Sequence, residues 1–231
     1  MTAHEAVAVR ETLGVMEAAD RYNDWLYERC RPHLGPRVLD VGAGIGSFSE
    51  RLLADGHAVV AVEPDPDLAS ILRDRLGARP DLTVIEGEAK DAPGTFDAAV
   101  CLNVLEHIPD DEGTLDDLRE RLLPDGRLLL LVPAHSLLYG GIDRALGHER
   151  RYSAGALRSL LRRRRFRVEA LRPVNPVGAV GWLVSSRLLR LERIPERPLR
   201  VYDELVPLLR PLDALRLPFG LSLWAVARPA G

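Results

Sequence analysis

The sequence predicts an α/β fold in which helices cover both faces of a mostly parallel, doubly wound sheet. Two observations lead to it. Short apolar runs of strand length alternate along the chain with segments whose apolar residues recur at helical spacing. The first clear strand, Val38-Leu39-Asp40-Val41, breaks directly into Gly42-Ala-Gly44-Ile-Gly46 and then into a helical pattern, a strand-to-helix turn stripped of Cβ atoms at three positions.

Such a turn lets a nucleotide-like ligand lie against bare backbone, although a tight connection with no ligand has the same composition. The third glycine of a dinucleotide fingerprint is replaced by Ser47, which weighs against a nicotinamide cofactor. Asp40 at the strand's carboxyl end suits an ammonium group better than a pyrophosphate, because anions prefer bare helix N-termini. A second buried strand, His57-Ala-Val-Val-Ala-Val62, ends at Glu63, about 20 residues past the first glycine, where a carboxylate can take both hydroxyls of a ribose. Next come Ile85-Glu-Gly-Glu-Ala89, the strand Phe96-Asp-Ala-Ala-Val-Cys101 and Asn103-Val-Leu-Glu-His-Ile-Pro-Asp-Asp111.

In this order these blocks resemble the class I S-adenosylmethionine-dependent methyltransferases. The resemblance implies a Rossmann-like, seven-stranded sheet, S-adenosylmethionine as cofactor and methyl transfer as activity. It also implies a division of labour. Asp40 and the Gly42, Gly44, Gly46 turn would face the methionine part of the cofactor, Glu63 its ribose and Pro64 the adenine face. Glu88 stands where an Asp usually reaches the adenine amino group, and Asn103 beside the methionine moiety. The leading helices would fold over the cofactor and bring Tyr22 or Trp25 to the pocket, the plainer alternative being core packing.

In chain order, residues 1–36 read as helical, with Tyr22, Trp25 and Leu26 on one face. Helices are expected over 47–54, 68–76 and 114–123, the last ended by Pro124-Asp-Gly126 before a strand over 127–132. Then follows a connection rich in chemical groups, residues 133–152, at the rim where loops usually carry function. It resembles the substrate loop of a bacterial small-molecule methyltransferase subgroup, and Tyr139, Asp143, Arg150, Arg151 and Tyr152 are its candidate substrate contacts. For each the alternative is a hydrogen bond that orders the loop itself. Ser153 caps a helix over 154–161, 166–171 alternates as a strand, and the last strand is 221–227. Between those strands Val177, Val180, Val184, Leu188 and Leu191 recur at helical spacing, as do residues 202–217. This is a helical cap inserted before the last strand. The chain thus divides, within one domain, into leading helices (1–36), cofactor core and substrate loop (37–172), cap (173–218) and final strand (219–231).

At 231 residues, 46% hydrophobic and 28% charged, the chain has the composition of a globular domain. Cys30 and Cys101 lie in different elements without zinc-type spacing, so no metal site and no disulfide is expected from them. The first residues lack a signal-peptide pattern and no apolar run approaches the roughly 20 residues of a membrane span, so a cytoplasmic location is expected. Residues 150–200 hold fourteen arginines against Glu169, Glu192 and Glu196, a local charge of +11 in a chain of −3. With no nucleic-acid motif and an apolar stripe beside it, this segment fits peripheral contact with an anionic membrane surface or a lipid-linked acceptor; the alternative is arginines paired to the acidic remainder.

A sulfonium methyl is already activated, so methyl transfer chiefly requires holding an acceptor in line and excluding water. A hydroxyl or carbon acceptor would gain from a base near neutral pKa, for which His107, His135 and His148 are candidates. The sequence leaves O-, C- and N-acceptors of a small molecule open, together with the oligomeric state. A nicotinamide-dependent oxidoreductase and a non-catalytic binding module on the same scaffold are the alternative functions.

Overall fold

The computed structural model describes residues 12, 14–215 and 217–230; the expected absence of a signal peptide and the start of the leading helical segment lie outside them. Seven strands form one sheet: β1 (Arg37–Val41), β2 (Ala58–Glu63), β3 (Leu82–Glu86), β4 (Phe96–Leu102), β5 (Leu122–Pro133), β6 (Phe166–Val174) and β7 (Ser222–Pro229), in the order β3-β2-β1-β4-β5-β7-β6. All pairings are parallel except those of β7, which runs antiparallel between β5 and β6. The mostly parallel seven-stranded sheet is therefore as the sequence predicts.

Helices α1 (Asp20–Cys30), α2 (Ser47–Ala54), α3 (Pro66–Leu76), α4 (Asp111–Arg121), α5 (Gly141–Ala145), α6 (Ala154–Arg163), α7 (Pro176–Trp182) and α8 (Glu196–Leu209) connect and cover the strands. Central β5 shows why its sequence is an unbroken apolar run: Leu128, Leu130 and Val132 are buried in the core on one face, Leu129 and Leu131 in that on the other. On the second face Tyr22, Trp25, Leu26 and Cys30 of α1 join Leu52, Leu53 and Leu72. At roughly 2 kcal/mol for each large apolar side chain withdrawn from water, these two layers dominate the fold's stability.

Several boundaries move for local reasons. Helix α3 starts two residues before 68, since Asp65 accepts from the amides of Asp67 and Leu68 and Pro66 occupies the first turn. Helix α4 spans 111–121 rather than 114–123: Asp110 caps it through the Gly113 amide, and Leu122 already pairs with Phe96. Pro124-Asp-Gly126 is therefore not a turn before the strand but an irregularity within β5, where the register shifts between Phe96 and Ala98. Ser153 caps α6 as expected, accepting from the Ala156 amide.

The cap is helical but not one continuous stripe. Helix α7 passes into a wide, i→i+5 turn at Leu183–Leu188, and Arg190 adopts a left-handed conformation. Val177 and Val180 line a cavity, whereas Leu188 and Leu189, 68% and 63% exposed, do not. Helix α8 starts at Glu196, ahead of the 202 expected, and carries Pro207 within it.

Candidate functional site

Between β1 and β4 the strand order reverses direction, and a crevice opens beyond their carboxyl ends. A cavity of about 940 Å³ occupies it, at the upper end of the range for small-molecule sites. One wall is the glycine turn. Gly42, Gly44 and Gly46 all have positive φ, 65°, 57° and 85°, a region that penalises any Cβ. A Cβ on Gly42 would also come within 2.5 Å of Val104. The turn is pinned from below, because the Gly42 and Ala43 amides donate to the Val62 carbonyl and the Gly44 amide donates to Glu63 Oε2 at 2.8 Å.

Asp40 sits under the turn and accepts a 2.6 Å bond from Ser49 Oγ. Burial pushes its carboxyl up to about 6, against the opposing Ser49 hydrogen bond. Glu63 is buried at the end of β2, and its second oxygen accepts from the Asp65 amide at 3.0 Å. Burial raises its pKa too, partly offset by these amides. Two desolvated carboxylates thus lie below a turn that lacks a Cβ at three positions. Asn103, at φ 55°, lines the same cavity. Pro64 and Glu88 are exposed, and Glu88 pairs with Lys90 at 2.7 Å.

The opposite wall brings together two of the three candidate histidines. His107 follows β4 in the short turn Leu105–His107, His148 comes from the loop after β5, and their rings meet edge to face at 4.7 Å. Burial and the neighbouring His148 push His107 down to about 4. His148 Nδ1 lies 2.8 Å from Asp143 Oδ1, so Asp143 accepts a hydrogen bond from it and leaves Nε2 as the free ring nitrogen. His135 does not join them: it follows β5 in a left-handed conformation and is not among the residues lining the cavity.

The expected substrate residues divide. Arg151 lines the cavity, with its guanidinium 4.8 Å from the centre of the Trp182 ring. The other four order the loop. Asp143, with none of its surface exposed, accepts from the Gly140 amide, His148, Arg151 Nε and Trp182 Nε1. Tyr139 donates to the His148 carbonyl, Tyr152 to Asp111, and Arg150 to the Pro109 carbonyl and Asp111. None of these four lines the cavity, and their hydrogen bonds are those of the alternative reading, in which they order the loop itself.

Sequence reasoning also passed over Glu106. It lies in the 103–111 block, where its one signal in the sequence is an acid directly before His107. In the structure its carboxylate is wholly buried at the cavity wall, with no hydrogen-bond partner in another of the described residues. Burial pushes it up to about 8. From above, Tyr22 of α1 and Val180, Val201 and Leu205 of the cap line the cavity. Tyr22 therefore reaches the pocket, whereas Trp25 is buried in the core beneath Arg29.

The family described as a methyltransferase domain matches residues 16–171. The ubiquinone biosynthesis O-methyltransferase of Xylella fastidiosa (strain 9a5c) is 37% identical over 112 residues, 46% of this chain and 45% of that protein. The mitochondrial ubiquinone biosynthesis O-methyltransferase of Schizosaccharomyces pombe is 34% identical over 110 residues, 45% of this chain and 40% of its own. The chain thus spans less than half the length of these curated relatives. Among solved structures, the methyltransferase in complex with the Haloferax volcanii Trm112 activator superposes with a TM-score of 0.69 at 15% identity, covering 100% of this chain and 99% of that one. A glycopeptide N-methyltransferase complexed with S-adenosylmethionine superposes at 0.58 and 15% identity, over 90% and 87% of the two chains. With the matched residues running from just ahead of α1 into β6, the chain belongs to the methyltransferase-domain family of class I S-adenosylmethionine-dependent methyltransferases.

Proposed function

We propose that the protein transfers a methyl group from S-adenosylmethionine to an oxygen of a small molecule with an apolar body. The observation that carries this is the continuity of one cavity from the glycine turn, past His107 and His148, to the apolar underside of the cap. Gly42 to Gly46 and Asn103 would hold the methionine portion, Asp40 its ammonium group and Glu63 the ribose. When bound, the cofactor supplies a methyl group already activated as a sulfonium. Tyr22 and the cap residues exclude water, and the paired histidine rings with Arg151 orient an acceptor hydroxyl at near-attack distance. An oxygen acceptor is favoured by the polar cluster opposite the turn and by the O-methyltransferase relatives. A nicotinamide reading is disfavoured by Asp40, whose buried carboxylate under the turn would oppose a pyrophosphate.

Calorimetry with S-adenosylmethionine and NADH, followed by mass spectrometry of cell extract incubated with a methyl-labelled cofactor, tests the reading. S-adenosylmethionine binding and a labelled apolar hydroxyl compound are expected; NADH binding alone would overturn it.

The cap adds a partner of the same chemistry. Leu188 and Leu189 project beside Arg187 and Arg190 on the outer end of the cavity's roof, a pattern suited to an anionic bilayer from which an amphiphilic acceptor could enter. No helix among the described residues is long and apolar enough to cross a membrane, so the contact would be peripheral. The protein should pellet with anionic but not neutral vesicles, and Leu188→Asp with Leu189→Asp should abolish pelleting. Equal, negligible pelleting with both vesicle types would leave an acceptor that enters from water.

A further inference from the structure

We propose that Glu106, His107 and His148 form a binding site for a divalent transition-metal ion in the cavity wall. One ligand atom from each lies within 4.8 Å of those of the other two. Across a tetrahedral ion with bonds of about 2.1 Å, ligand atoms are about 3.4 Å apart, so closing the site would require the ligand atoms to approach one another by up to about 1.4 Å.

Three further observations separate this cluster from a chance meeting of polar groups. First, Glu106 is wholly buried and neither of its oxygens has a hydrogen-bond partner in another of the described residues, an arrangement that is unfavourable for a charged carboxylate unless a cation joins it. The cation closest in chemistry is Arg151, but its Nε and one terminal nitrogen are committed to Asp143 and to the Ala134 carbonyl, at 2.7 and 3.0 Å. Secondly, each histidine is already oriented through one ring nitrogen, His148 through Asp143 and His107 through the Leu146 carbonyl. That carboxylate–histidine and carbonyl–histidine support is how metal-ligating imidazoles are held in one tautomer. Thirdly, all three residues line the cavity, so three protein ligands would leave open positions directed at the acceptor.

Two imidazoles and one carboxylate suit Zn²⁺, Mn²⁺, Co²⁺ or Fe²⁺ rather than Ca²⁺ or Mg²⁺, which prefer all-oxygen surroundings. The site itself rests only on these side chains. Its role rests on the methyl-transfer reading: an acceptor hydroxyl bound at an open position would be acidified, its proton leaving to solvent as the new O–CH₃ bond forms and the S–CH₃ bond breaks. No redox change is required.

The test uses the tag-free full chain, stripped with a chelator and titrated with Co²⁺ while its visible d–d absorption is followed. One equivalent should bind, and Glu106→Gln and His148→Ala should each weaken binding at least tenfold, while His33→Ala, outside the cavity, leaves it unchanged. Glu106→Gln preserves side-chain shape, and S-adenosylmethionine calorimetry on each variant reports whether it is folded. Absence of stoichiometric Co²⁺ binding, or binding unaffected by either site variant in folded protein, overturns the site. Failure of the parent to bind S-adenosylmethionine while Co²⁺ still binds would sink the methyl-transfer reading and leave the metal site standing.

Discussion

Asp203 Oδ1 accepts a 2.8 Å hydrogen bond from the backbone amide of Tyr22, across 181 residues of sequence. Asp203 lies in α8 of the cap and Tyr22 in the first turn of α1, whose own N-cap residue, Ala19, offers no side-chain acceptor. The cap thus supplies the missing helix cap and ties the cavity's two roof pieces together. Around it Asn175 accepts from the Tyr202 hydroxyl and the Gly178 amide, and Asp213 accepts from the Asn175 amide while pairing with Arg29. Asp203→Ala should destabilise the protein by about 1–2 kcal/mol, the usual worth of a helix cap. It should also speed hydrogen exchange at Tyr22 more than in the sheet. Unchanged exchange at Tyr22 would mean that α1 is held by its apolar face alone.

Glu63 braces the Gly44 and Asp65 amides, and on the proposed methyl-transfer reading its remaining lone pairs would meet a ribose. Hydrogen bonds to a charged acceptor are worth roughly 1.5–3 kcal/mol. Glu63→Ala should therefore weaken S-adenosylmethionine binding about ten- to a hundredfold by calorimetry, and Glu63→Gln by less, because the amide oxygen can still brace the turn.

The cofactor side of the crevice was legible because it is local. A strand, three glycines and an acid at the next strand's end carry their geometry in consecutive residues: Gly42 lines the cavity, while Asp40 and Glu63 lie buried beneath the turn. The acceptor side is built from contacts between distant segments. Nothing adjacent to His148 shows that its ring meets His107, 41 positions away by number. Likewise, hydrogen bonds with Asp111, Pro109 and Ala134 decide that Tyr152, Arg150 and much of Arg151 serve the loop. The cap misled in another way. Its apolar stripe has helical spacing whether it faces a core, a cavity or water, and here Val180 faces the cavity while Leu188 faces out.

Asp143 is the hub of the histidine side of the cavity, accepting from the Gly140 amide, His148, Arg151 and Trp182. Burial pushes its carboxyl up, but hydrogen bonds from His148 and Arg151 prevail and hold it below the usual carboxylate range. Asp143→Asn would leave Arg151 buried without its counter-charge, a loss on the order of 3–5 kcal/mol. Denaturant unfolding should show that loss at pH 7. Because the folded pKa is depressed, the stabilisation is present above the unfolded value of 3.8 and fades as pH falls through the folded one. Parent and variant should therefore converge in acid. A gap that shows no narrowing as pH falls from neutral to well below the unfolded value of 3.8 would point to packing rather than charge.

Asp40 should behave in the opposite sense. Its folded pKa, about 6, lies above the ordinary aspartate value of 3.8, chiefly through burial. The protonated form is therefore favoured by folding, a stabilisation complete below the unfolded value and lost as pH rises through about 6. Asp40→Asn keeps an oxygen for Ser49 Oγ and removes the buried charge. Without cofactor the variant should match the parent near pH 4 and exceed it above pH 6 by about 1–3 kcal/mol, since a tenfold change in a protonation equilibrium is worth about 1.4 kcal/mol. Cofactor binding should reverse that ranking. An ammonium group beside Asp40 needs the ionised carboxylate, so the parent's affinity for S-adenosylmethionine should climb between about pH 5 and 7 with proton release, while that of Asp40→Asn stays weak and flat. Parallel pH profiles for the two proteins, measured by calorimetry in buffers of differing ionisation enthalpy, would remove Asp40 from the cofactor site.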